Sequence, residues 1–194
     1  MNGRTALIAV SAATLLGALY YFNTSPSTLT MSPLTSNPSS GIPGLEFHLS
    51  QISRSPPSLL VTLRNNNPTT PFALLKWNTP LDPQAANLGI FTLVDEDGKE
   101  IPTEGLKVNR LMPPGAEDLV TVAPGTEEAH EVVMDKPWLP ERRPAKYKVY
   151  VQGTFSGVWD RYGGDLGTGD LEAYVDSPFH GRAFESNVVE MRVE

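Results

Sequence analysis

No cysteine occurs among the 194 residues, so disulfides, thiolate metal sites and cysteine nucleophiles are excluded together. That absence leaves the compartment open, because a secreted protein dispenses with disulfides when its core suffices. Basic residues are also few: 15 Lys and Arg face 22 Asp and Glu, a net charge of −7. Nucleic acid, which is recruited by counterion release from a basic surface, is excluded as a partner. Only three histidines are present, His48, His130 and His180, and none has a partner at helical spacing. His130-Glu131 opens like the zinc-protease helix motif, but Met134 stands where the second histidine is required. No Gly-x-Ser-x-Gly elbow occurs. No catalytic residue, metal ligand or cofactor site is therefore expected, and the chain is read as a non-enzyme.

Charge of either sign is missing between Arg4 and Glu46. The 18 residues from Thr5 to Phe22 are mostly aliphatic and aromatic. As a helix they would span roughly 27 Å at about 1.5 Å per residue, close to a hydrocarbon core of about 30 Å. The run ends in Tyr20-Tyr21-Phe22 with no Ala-x-Ala after it. Residues 1–22 are accordingly read as an N-terminal apolar helix acting as a signal anchor, with a cleaved signal peptide as the alternative. Arg4 puts the amino terminus in the cytoplasm and the rest of a single-pass chain in the lumen or outside. Secretion after cleavage is the alternative location. Residues 23–42 are a Ser/Thr/Pro-rich linker containing Pro26, Pro33 and Pro38, an extended spacer suited to O-glycosylation. A single sequon, Asn23-Thr24-Ser25, abuts the apolar run.

From residue 43 to 194 the pattern has period two. Leu45, Phe47 and Leu49 alternate with Glu46, His48 and Ser50, and Tyr147, Val149 and Val151 alternate with Lys148, Tyr150 and Gln152. Leu59, Val61 and Leu63 set another half-buried face. Further strands are read at Phe72–Trp77, Gly89–Val94, Leu106–Leu111, Leu119–Val122, Ala129–Met134 and Val188–Val193. Between them lie turn signals such as Asn65-Asn66-Asn67-Pro68, Asp97-Gly98 and Pro124-Gly125. With 16 glycines and 18 prolines, about nine short strands point to an all-β fold, an antiparallel immunoglobulin-like β-sandwich.

Two acidic, glycine-containing stretches invite functional readings. Asp95-Glu96-Asp97-Gly98 lacks the remaining ligand positions of a calcium loop and is read as a hairpin turn with Gly98 at positive φ. The stretch Gly163 to Asp170 lacks the lysine and following helix of a phosphate cradle and is read as a flexible connection. Around it, between Gly153 and Gly181, Phe155, Trp159, Tyr162, Tyr174 and Phe179 lie among glycines and acids. Long loops rich in aromatics are often contact surfaces, so these five are the candidate partner-binding residues. The competing reading is that the rings close one end of the core.

Several segments, taken in order, carry a family resemblance. They are Leu60-Val61-Thr62-Leu63-Arg64-Asn65-Asn66-Asn67, Leu75-Lys76-Trp77-Asn78-Thr79-Pro80-Leu81, Asp97-Gly98-Lys99-Glu100-Ile101-Pro102 with Glu104-Gly105-Leu106-Lys107, Val122-Ala123-Pro124-Gly125-Thr126-Glu127 and Ala145-Lys146-Tyr147-Lys148-Val149. Together, from about Leu45 to Tyr150, they resemble the propeptide domain of the deuterolysin (aspzincin) family of fungal zinc metalloendopeptidases. The resemblance implies a fungal origin and a folding assistant or inhibitor whose partner is a metalloprotease catalytic domain. The family's His-Glu-x-x-His helix has no counterpart here, so no catalytic or metal-binding residue is carried over. A general cell-surface or secretory-pathway interaction module is the alternative function. A small hydrolase or sugar-binding protein using carboxylates near Trp159 comes third.

Overall fold

The computed structural model describes residues 41–103, 105–143 and 145–194. The anchor and the sequon at Asn23 lie outside the described residues, as does all of the linker but its last two positions. At that end Ile42 is buried in the core and its carbonyl accepts the Leu45 N–H at 3.1 Å.

Among the described residues ten strands run in the order β1 (Leu45–Arg54), β2 (Pro57–Asn65), β3 (Phe72–Leu75), β4 (Phe91–Val94), β5 (Leu119–Val122), β6 (Glu127–Val133), β7 (Ala145–Thr154), β8 (Val158–Trp159), β9 (Ala183–Glu185) and β10 (Val189–Val193). Among the described residues helix is confined to single turns, including α1 (Thr168–Glu172). The strands form three sheets, ordered β1-β2-β6, β10-β7-β4 and β5-β3-β8, with β9 added beside β7. All strand pairs are antiparallel.

Register explains the burial. In β1 and β2, Phe47 opposes Leu63 and Leu49 opposes Val61. In the second sheet, Leu93 and Val189 flank Val149, and Phe91 opposes Val151. Because side chains alternate across a strand, each set shares one face, and these faces meet in one apolar core. Strand β3 is buried at all four positions, which suits a central strand covered on both sides. Its run of Phe72, Ala73, Leu74 and Leu75 shows no alternation for that reason.

Two turns follow the expected chemistry. Gly98 has φ +80, and Asp95 Oδ1 accepts the N–H groups of Asp97 at 3.0 Å and Lys99 at 2.8 Å, an Asx turn closing the β4 hairpin. Gly125 likewise adopts φ +69 between β5 and β6.

Two expectations need correcting. Residues Leu106–Leu111 form no strand but an irregular loop. Alternation signals a strand only where one face is buried, and Leu106, Val108 and Leu111 are all exposed. The stretch from Gly163 to Asp170, expected to be a flexible connection, carries regular structure. It comprises a 3-10 turn and most of α1, fastened by Gly163 N–H to Thr121 Oγ1 at 3.1 Å and by Arg161 to Asp170 at 2.7 Å.

Candidate binding surface

The best-organised polar cluster lies just after β3. The Lys76 N–H bonds the Asp118 carbonyl at 2.8 Å, and the Trp77 indole N–H donates to Asp118 Oδ1 at 2.8 Å. Asn78 then takes φ +59, a conformation Asn tolerates better than most residues. This turn brings the Asn78 N–H to Asp82 Oδ2 at 3.1 Å, while the Gln84 N–H reaches Asp82 Oδ1 at 2.9 Å. The Asp82 side chain has no exposed surface. A carboxylate in that position requires a counter-charge, and Arg110 supplies it through a guanidinium–carboxylate ion pair. The same guanidinium lies 5.5 Å from the centroid of the Trp77 ring.

Arg110 thereby fastens the loop 105–113 to the sandwich. A second attachment, the Leu106 N–H to the Asn87 carbonyl at 2.8 Å, holds its start. Between and beyond these points the aliphatic side chains turn outward: Leu106 is 57% exposed, Val108 36%, Leu111 89% and Met112 58%. Leu106 also lines an open cleft of about 580 Å³ with Asn87, Pro102, Pro137 and Trp138. The Trp138 indole nitrogen is buried without a hydrogen-bond acceptor.

The five residues marked by sequence divide differently. Phe155 and Trp159 are each 1% exposed and belong to the core. Phe155 stacks on Phe47 at 6.0 Å between ring centroids, and Trp159 sits in β8 opposite Ala73. Neither ring offers exposed surface to a partner. Tyr174 and Phe179 are half-buried, packed edge-on against Trp77 and Phe72 at 5.9 Å each. Tyr162 alone is exposed. The structure thus does not gather the five into one surface.

Sequence reasoning missed Asp82, Arg110, Leu111 and Met112. The ion pair joins residues 28 positions apart and leaves no local signal. A signal for the loop did exist: Pro113 and Pro114 directly after Leu111-Met112 are poor strand residues, which marks those aliphatics as loop rather than sheet. Among the described residues no group of three or more His, Asp or Glu side chains is placed to hold a metal ion. Among them, too, no helix is long and apolar enough to cross a membrane.

An antiparallel sandwich that displays a pinned aliphatic loop defines an immunoglobulin-like module with a surface as its most distinctive feature. Residues 44–193 match the model of the immunoglobulin-like domain family, and the chain belongs to that family. It is also similar to a protein from Arthroderma benhamiae described as an uncharacterized secreted protein, with 37% identity over 108 residues. The match covers 55% of each chain, so this chain spans about half the length of that relative.

Proposed function

We propose that the chain is a non-enzymatic interaction module of the secretory pathway or cell surface, and that it engages a protein partner through loop 105–113. The observation that carries this reading is the display of Leu106, Val108, Leu111 and Met112 on a loop held by the Asp82–Arg110 ion pair. Large aliphatics exposed together on an ordered segment mark interaction sites more often than scattered ones do. Fixing them before contact lowers the ordering cost of binding. The secreted description of the relative supports a destination outside the cytoplasm.

A narrower version makes the partner a deuterolysin-type catalytic domain. What supports it is that Trp77 and Asn78, within one of the segments that carry the resemblance, form the hub on which the loop is held. Proximity labelling in a fungal secretory fraction tests the general reading. Neighbours of the full chain that are lost with Leu111→Asp and Met112→Asp, and kept with Ile52→Asp on β1, are the expected result. Neighbours that respond to none of these changes would remove the loop from consideration. For the narrower version, the full chain should slow a deuterolysin-type protease at micromolar concentration, and no effect would eliminate it.

A further inference from the structure

Leu111 and Met112 protrude, and five residues earlier on the same loop Leu106 walls the cleft shared by Pro102, Pro137 and Trp138. Five residues of extended chain cover at most about 17 Å. A protruding apolar feature and an apolar hollow therefore lie close together on one molecule. We propose that this surface is self-complementary: Leu111 and Met112 of each copy enter the Pro102–Leu106–Pro137–Trp138 cleft of a second copy of the chain. The proposal rests on the reading of loop 105–113 as a contact surface and names its partner.

Symmetry and charge both point to a second copy. In a two-fold pair the same patch meets itself, so each copy must carry both the knob and the hollow, as this one does. Residues 105–116 contain no acidic side chain, and their two cations are Lys107 and Arg110. Arg110 is engaged by Asp82, which leaves Lys107 as the one uncompensated charge of the loop. Outside that loop, the chain from Gly41 onward has 12 basic against 22 acidic residues. A basic partner would be drawn to that acidic remainder and away from the acid-free loop. Two copies instead repel at long range through that acidic remainder and attract at the aliphatic contact, so added salt should strengthen the pair. The patch is small beside the roughly 20–30 residues per side of a stable interface, so pairing should depend on concentration.

The absence of cysteine permits a direct test on the full chain. Single-cysteine variants Leu111→Cys and Pro137→Cys, both at exposed positions, are mixed and treated with a short bis-maleimide. Their cross-linked pair should form at least tenfold faster than the pair from Ile52→Cys, an exposed position on β1. The rate should rise with sodium chloride. Leu111→Asp and Leu106→Lys should each reduce self-association in sedimentation, and their mixture should restore a heterodimer, because one contact then opposes Asp to Lys and the other is native. Cross-linking no faster than the Ile52→Cys control, or weakened by salt, would overturn the dimer. If the chain stays unpaired while Leu111→Asp still abolishes a proximity-labelled neighbour, the dimer falls and the interaction module stands. If neither measurement responds to Leu111→Asp, both fall.

Discussion

The carboxamide of Gln51 grips the backbone of Arg192 at two points, Nε2 donating to its carbonyl at 2.6 Å and Oε1 accepting its N–H at 3.0 Å. Asn187 does the same for Leu49, with Oδ1 accepting its N–H at 2.8 Å and Nδ2 donating to its carbonyl at 3.0 Å. Each side chain replaces a missing strand rung where β1 runs beside the C-terminal segment. The irregularity between Gln51 and Ser53 in β1 bends the strand at that point. Two side-chain amides therefore stitch the β1-β2-β6 sheet to the β10-β7-β4 sheet.

Replacing Asn187 by Ala should cost about 2 kcal/mol, because two hydrogen bonds are lost and the partly buried Leu49 peptide is left without partners. Gln51→Ala should cost less, about 1 kcal/mol, since its bonds lie nearer solvent. As both amides close one seam, the double variant should lose less than the sum of the two. Denaturant titrations measure all three. Full additivity would show that the amides act independently.

Arg110→Ala should destabilise the fold by about 3 kcal/mol, because it strands the fully buried Asp82 carboxylate without a counter-charge. High salt should change this cost little, since buried pairs are screened weakly. The loop loses its fastening at the same time, so limited proteolysis between residues 105 and 113 should accelerate in Arg110→Ala. A variant with native stability and an uncut loop would mean that the ion pair does not hold the segment.

Trp159→Ala should lower stability by about 3–5 kcal/mol, the usual range for a large ring removed from a core. Tyr162→Ala, three residues on and exposed, should stay within about 0.5 kcal/mol of the parent. Thermal melts of the two variants decide the matter. A mild Trp159→Ala would contradict the burial and restore the ring as a contact residue.

These two rings also show where sequence reading stops. Strands β1, β4 and β7 were legible because one face of each is buried and the side chains alternate, β2 because Leu59, Val61 and Leu63 recur at every second position although both its faces are largely buried, and the Asp97-Gly98 turn because only a few residues take positive φ there. Strand β8 was not, since its two residues carry no period at all. Leu106 to Leu111 misled for the opposite reason, a period without a core beneath it. In the candidate site, Arg110 acquires its role only through Asp82, and nothing near either residue in the chain announces the other. The orientation of Trp159 depended on the fold of the whole 153–181 segment, whose turns composition describes only as glycine-rich.

Gly153 offers a prediction whose sign depends on a neighbour. It lies in β7 directly opposite Phe184 of β9, and a β-carbon built there would stand 2.8 Å from Phe184 Cζ. That ring has little room to yield, because it packs against Phe47 at 5.2 Å and Phe155 at 5.0 Å between centroids. Glycine in a strand ordinarily sacrifices about 0.5–1 kcal/mol relative to alanine. Here the overpacking cost of roughly 1–3 kcal/mol should outweigh that gain, so Gly153→Ala should destabilise by about 1 kcal/mol. With Phe184→Ala already in place the obstruction is gone, and adding Gly153→Ala should become neutral or mildly stabilising. Urea titrations of the four proteins complete the cycle. If Gly153→Ala has the same effect in both backgrounds, the glycine is not there to make room for the Phe184 ring.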